Sequence, residues 1–107
     1  MKTYLLAEMA SSHEGNLELA RSIIQSAAKA AADGILLQII DLDTYIIPSD
    51  SDYAIVKKIY FTQKIWASLI LQANTFGLDI IANVYDVASA KFCCSQKIRW
   101  NTLGMGL

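Results

Sequence analysis

Proline occurs once, at Pro48, and cysteine only as the adjacent pair Cys93 and Cys94. One proline inside a polar stretch gives no Pro-rich linker and no boundary between blocks of different composition. Neighbouring residues on a helix point in different directions and seldom close a disulfide, and the C-x₂-C spacing of metal sites is missing. The pair is therefore read as two free thiols in a reducing compartment. Charge of one sign is lacking too: 9 basic residues against 10 acidic ones leave a net charge of -1. That balance excludes the electrostatic footprint of a nucleic-acid or anionic-membrane binder. Apolar runs such as Gly34 to Ile40 fall far short of the about 20 residues of a membrane span. Met1-Lys2 leads directly into a short apolar run ending at Glu8, without the h-region and cleavage site of a secretory signal, so the cytoplasm is the expected location. No internal repeat or low-complexity segment is present, and 107 residues with 54% hydrophobic content are expected to form one packed unit over 1–107.

What is present alternates strand-like and helix-like segments. Tyr4 to Met9 is a short apolar run, followed by the polar turn Ala10 to Gly15. Asn16 is placed to cap a helix in which Leu17, Ala20, Ile23, Ile24, Ala27, Ala28 and Ala31 recur at helical spacing. Asp33-Gly34 stops it. The nearly unbroken run Ile35 to Ile40 has the composition of a strand buried in a parallel sheet. A polar connection rich in Asp and Ser, Asp41 to Asp52, leads to a short helix around Tyr53 to Tyr60, and connections of this length are often functional. Thr62 caps a further helix with Trp66, Leu69, Ile70, Ala73 and Phe76 on its apolar face, closed by Gly77. Asp79 to Val84 reads as a third strand, Asp86 as the cap of a helix through Cys94, and Ile98 to Leu103 as a fourth strand. Such alternation implies an α/β fold with parallel strands and right-handed crossovers, whose chemistry sits at the carboxyl ends of the strands.

Three strand ends present polar groups: Glu8 with Ser11 to Glu14, Gln38 with Asp41 and Asp43, and Asn83 with Tyr85 and Asp86. A glutamine within an apolar strand needs a hydrogen-bonding environment, so Gln38 is expected to face a polar interior shared with Leu36 and Ile40. Glu8 is either a buried carboxylate satisfied by backbone amides or a basic partner, or a pocket residue. His13 and Glu14 offer an imidazole and a carboxylate suited to acid and base, although a histidine in a helix-entry loop also serves as a hydrogen-bonding or capping residue. Asp41-Leu42-Asp43-Thr44 follows a strand, as the paired aspartates of haloacid dehalogenase-type phosphatases do. Tyr45 stands where that motif has Thr or Val, and the strand is the second in the chain.

The block Leu6-Ala7-Glu8-Met9-Ala10-Ser11-Ser12-His13-Glu14-Gly15 through Ala20 resembles the opening of the sialic acid synthase family, roughly I-A-E-x-G-x-N-H-x-G-x-x-x-x-A. Ala7, Glu8, His13, Gly15 and Ala20 match. Ala32-Asp33 is similar to the end of the family's G-A-D, Ile35 to Gln38 to its V-K-F-Q, and Ile81 to Asp86 to its I-S-T-P-F strand end. The resemblance implies a partial (β/α)₈ TIM-type barrel, with the first three to four βα units of a fold that runs to about 250 residues. It also implies an enzyme condensing phosphoenolpyruvate with an N-acetylated amino sugar such as N-acetylmannosamine. On that resemblance Glu14 takes a catalytic base's place and Gln38 a sugar contact's, with Glu8, His13 and Asn83 as further substrate-binding positions. A divalent metal, Mn or Mg, is implied for the full-length family, with its ligands outside this chain.

The departures fall on one half of that chemistry. Leu36 stands in place of the family lysine, Thr102 in place of a second lysine and Met105 in place of a serine, so the groups implied to hold phosphoenolpyruvate's phosphate and carboxylate are replaced. A truncated synthase inactive by itself, a non-catalytic carbohydrate-binding or interaction module, and an Asp-dependent phosphatase using Asp41 and Asp43 are the three functional expectations. Self-association through an open sheet edge is expected of so few barrel units.

Overall fold

The computed structural model describes residues 2–98 and 100–103. Among the described residues nine elements follow one another: β1 (Leu6–Glu8), α1 (Leu17–Lys29), β2 (Gly34–Ile39), α2 (Leu42–Tyr45), α3 (Tyr53–Ile59), α4 (Gln63–Thr75), β3 (Asp79–Val84), α5 (Val87–Ser95) and β4 (Trp100–Leu103). All strand pairs are parallel, in the order β1-β2-β3-β4. Each strand is added on the same side as the one before it. That is the progression of a closing βα barrel; a doubly wound sheet reverses direction at a switch point.

Burial along the strands separates the two faces. Ile35, Leu37 and Ile39 on β2 and Ile80, Ala82 and Val84 on β3 are buried. They join one core with Ala20, Ile24 and Ala27 of α1, Trp66, Leu69, Ile70 and Ala73 of α4, and Phe92 and Cys93 of α5. Leu36, Gln38, Ile81 and Asn83 alternate with them and remain only partly covered. Helices therefore line one face of the sheet, and the other is the open, inward face of a barrel segment. Register places Glu8, Leu36, Ile81 and Trp100 in one row of that face, and Gln38, Asn83 and Thr102 in the row nearer the carboxyl ends.

Local chemistry fixes the helix ends. The side chains of Asn16, Thr62 and Asp86 accept hydrogen bonds from the backbone N–H of Leu19, Ile65 and Ser89 at 3.1, 3.3 and 2.7 Å. At the other ends Ala31, Gly77 and Lys97 take left-handed backbone conformations, with φ of 60°, 74° and 59°. In each case the next residue donates five positions back, Ala32 to Ala27, Leu78 to Ala73 and Ile98 to Cys93, all at 3.1 Å. Three Schellman closures thus turn α1, α4 and α5 back toward the following strand.

Several boundaries differ from the sequence expectation. β1 is shorter than Tyr4 to Met9 because the Leu5 N–H donates to the Asp33 carboxylate at 2.7 Å, outside the ladder. The fourth strand starts at Trp100, since the Ile98 N–H is used in closing α5. One turn of helix, α2, forms inside the polar connection, where the Thr44 and Tyr45 N–H groups return to the Asp41 carbonyl at 3.2 and 2.9 Å. Both cysteines are free, and burial pushes the Cys93 thiol up to about 11, the condition of an inert structural thiol. Met105 lies outside the described residues. No helix among the described residues is long and apolar enough to cross a membrane.

Candidate functional site

The turn after β1 is built from unusual backbone. Ala10, Glu14 and Gly15 all have positive φ, at 47°, 53° and 73°. The tight turn they make folds His13 inward, where it is 3% exposed. Its ring stacks on Phe61 at 4.3 Å between centroids and meets the edge-on Trp66 at 5.8 Å. The Gly15 N–H donates to His13 Nδ1 at 2.9 Å, so the proton of the neutral imidazole is assigned to Nε2. Gly15 is required sterically as well, because a Cβ there would lie 1.8 Å from the carbonyl oxygen of Lys58 at the end of α3. That contact seats α3 against the β1 turn.

Burial lowers the His13 pKa from 6.5. The folded chain then takes up this proton less readily than the unfolded chain, so the contribution to stability is complete above 6.5 and is lost as pH falls through the lower folded value. His13 is the one histidine of the chain. The variant His13→Gln is expected to flatten the stability profile just below pH 6.5, measured as urea midpoints; an unchanged slope would place the proton uptake elsewhere.

Beside this turn, the carboxyl ends of β2 and β3 carry a polar row. Gln38 pairs in register with Asn83, and Asn83 with Thr102. The Thr102 hydroxyl donates to Asn83 Oδ1 at 3.0 Å, while Asn83 Nδ2 donates to the Tyr85 hydroxyl at 3.0 Å. Tyr85 in turn meets the Tyr45 ring edge-on at 5.6 Å. Burial, then the neighbouring Tyr45 and Glu8, push the Tyr85 phenol upward, which keeps it protonated and able to donate.

A recess of about 100 Å³ opens between the row and the turn, lined by His13, Gln38, Tyr45, Phe61, Trp66 and Tyr85 among others. Of the five positions expected from the sequence, His13 and Gln38 line it directly. Asn83 reaches it through Tyr85. Glu8 is exposed on the open face, so of its two expected states the buried, satisfied carboxylate does not occur: among the described residues the inward face has no second layer over it. Glu14 is adjacent to His13 in the chain, yet it is exposed and does not line the recess; its positive φ turns the two residues apart. The aromatic lining was missed, since Trp66 was assigned only to the packing face of its helix. Its position in the first turn of α4, at the level of the strand carboxyl ends, was the available signal.

Asp86 joins the loops around this row. It is 5% exposed, accepting from Ser89 N–H and Ser89 Oγ at 2.7 and 3.0 Å and from the Asp41 N–H at 2.8 Å. The Asp41 carboxylate accepts from the Thr44 hydroxyl, as in a helix-entry turn, and Asp43 is exposed on α2. Asp41 is therefore engaged in the helix-entry turn, while Asp43, the other member of the phosphatase pair expected as one alternative, faces solvent. Among the described residues no three His, Cys, Asp or Glu side chains gather as a metal's donor set would require.

No protein-family model matches the chain. It is similar to pseudaminic acid synthase of Campylobacter jejuni, with 38% identity over 56 residues, 52% of this chain and 16% of that protein. It is also similar to N,N'-diacetyllegionaminic acid synthase of Legionella pneumophila, with 22% identity over 92% of this chain and 32% of the relative. The crystal structure of N-acetylneuraminic acid synthetase from Leptospira borgpetersenii superposes with a TM-score of 0.84 at 22% identity, covering 94% of this chain and 35% of that one. The chain is thus similar to part of the sialic acid synthase-type proteins. A spore coat polysaccharide biosynthesis protein E from Chromobacterium violaceum shares the fold at the same TM-score of 0.84 and 19% identity. The chain spans 16% and 32% of the length of the two curated relatives. Its four described parallel strands accordingly share the fold of one part of the TIM barrel of those proteins.

Proposed function

We propose that this chain supplies the amino-sugar side of a cytoplasmic synthase that condenses phosphoenolpyruvate with an N-acylated amino sugar. The observation that carries the proposal is the Gln38–Asn83–Thr102 row at the carboxyl ends of parallel strands, beside the buried His13. A pyranose hydroxyl finds both donors and acceptors there, in the amides of Gln38 and Asn83. Glu8, exposed on the same face, and His13 complete the substrate-binding set. Glu14, in the turn above the row, is the proposed acid or base; its exposure leaves it free to swing toward a bound sugar. We place the ligands of the divalent metal, Mn or Mg, outside this chain.

The phosphoenolpyruvate side is not proposed for these residues. Leu36 occupies the inward face in the row with Glu8 and Ile81, and a leucine supplies no charge-assisted hydrogen bond to a phosphate. That placement favours, as the second reading, a carbohydrate-binding module that uses the same row without turnover. Calorimetry of the chain with phosphoenolpyruvate is expected to show no binding heat; saturable tight binding would refute the division of labour. NMR titration with N-acetylmannosamine is expected to move the Asn83 and Thr102 resonances in the native chain but not in Gln38→Leu. Resonances of the row that stay fixed in the native chain would sink the amino-sugar proposal.

The open edges of β1 and β4 carry a related proposal. Leu103 on β4 is 79% exposed, and parallel edges without a neighbouring strand among the described residues template association. Light scattering over a concentration series is expected to show mass rising with concentration, and a constant monomer mass would overturn self-association.

A further inference from the structure

Residues 46–60 cover the recess beside His13 without being packed into the core. Val56, Ile59 and Tyr60 form its wall on the α3 side, and each is only half-buried. None of residues 43–60 is buried, whereas the chain on either side is fixed. The Asp41 N–H donates to the Asp86 carboxylate at 2.8 Å, and Phe61, 3% exposed, stacks on His13. Among the described residues, the hydrogen bonds of 46–60 reach no farther than Leu42. The backbone at both junctions is extended, with φ -146° and ψ 142° at Ile46 and φ -81° and ψ 146° at Tyr60, so α3 continues into neither neighbouring helix. A helix of 7 residues is well below the about 12–15 that reach even marginal stability in water. Its order therefore comes from the contacts of Val56 and Ile59 with the recess and from the seat of the Lys58 carbonyl on Gly15. When those contacts part, the helix melts; when the helix melts, they part.

We propose that α3 is an order–disorder gate over the recess. Folded, it closes the space beside His13 and Gln38; melted, it opens that space to solvent while the sheet and α1, α4 and α5 stay in place. Ile46 and Tyr60 are its hinges. Closure removes water from the side of the polar row on which His13 and Tyr85 lie, and opening sets how often that side can be reached. The gate is independent of the amino-sugar proposal, because its opening is measured without any ligand.

Trp66 reports from inside the recess. It lines the space from α4, a separate element, and its indole N–H is buried without an acceptor. The test is hydrogen exchange, read by NMR on the whole ¹⁵N-labelled chain over a series of low urea concentrations. The amides of Tyr53–Ile59 and the Trp66 indole are expected to exchange through one opening that depends little on urea. That opening should be at least about tenfold more frequent than the openings of β2 and β3, whose exchange follows urea as global unfolding does. Ala54→Gly is the deciding variant, since Ala54 is exposed and does not line the recess. Within the folded chain it can reach Trp66 only through the folding of α3. It is expected to speed the α3 amides and the indole by the same factor, about fivefold, with the weak urea dependence of both retained. Val56→Ala, which removes half-buried methyl groups from the closed face, should act in the same direction by about threefold. Indole exchange with the urea dependence of β2 would show that the recess opens only on global unfolding, and the gate is then overturned. An indole rate that Ala54→Gly leaves unchanged while the α3 amides speed up overturns it too, as do α3 amides protected as well as those of β2.

Discussion

Replacing Asp86 by alanine is expected to destabilise the chain by about 2–4 kcal/mol, more than any other single carboxylate substitution. The loss has two parts. Removing a side-chain N-cap weakens α5 by about 1–2 kcal/mol. The Ser89 hydroxyl and the Asp41 N–H, which donate to the same carboxylate at 3.0 and 2.8 Å, are then left without their acceptor in a buried setting, at about 1–3 kcal/mol for each unsatisfied group that water fails to reach. Asp86→Asn retains an acceptor oxygen and should recover about half of the deficit. Asp43→Ala, on the exposed side of α2, should change nothing. Urea unfolding midpoints with unchanged slope provide the measurement. A midpoint for Asp86→Ala within about 0.5 kcal/mol of the native chain would mean that the Asp86 network contributes no net stability.

Gly15→Ala is expected to release α3 while leaving the sheet intact. Two effects combine at this position: a φ of 73°, which disfavours a residue with a Cβ by about 1–2 kcal/mol, and a Cβ 1.8 Å from Lys58 O and 2.9 Å from the carbonyl carbon. A backbone carbonyl cannot rotate aside as a side chain can. Because α3 buries none of its residues, moving it away takes less energy than distorting the turn that holds His13. Hydrogen exchange should therefore rise sharply at Tyr53–Ile59, while protection in β2 and β3 falls only in line with global stability, by about 2 kcal/mol. Protection in α3 equal to that of the native chain would show that the β1 turn had yielded instead.

Much of the architecture was legible because it depends on local chemistry. Asn16, Thr62 and Asp86 each precede an apolar periodic run, and each accepts the helical N–H expected of a cap. The uninterrupted run ending in Ile39 became the central strand β2, and the polar Gln38 within it faces the open side. Legibility ended where distant segments meet. Nothing local to Asp86 signals that its second oxygen accepts from Asp41, 45 positions away. Nor does the spacing of Trp66, read as one face of α4, distinguish a ring that packs on the sheet from one that also walls the recess with His13 and Phe61. The two readings of Glu8 stayed open for another reason: its burial depends on what lies opposite the inward face, and no pattern within β1 reports that.

The strand order has a consequence for how the chain is made. Among the described residues every strand after β1 finds a partner in the strand synthesised before it, so these pairings do not wait for a later part of the polypeptide. The crossing helices are turned back by closures that span only six residues and need nothing downstream. On the ribosome, where chains emerge at about 5–20 residues per second, such a sheet can grow vectorially, each βα unit docking on the last as it leaves the exit tunnel. During that growth the newest strand is always the exposed edge, so the interval before its successor arrives sets how long the nascent chain is open to mispairing.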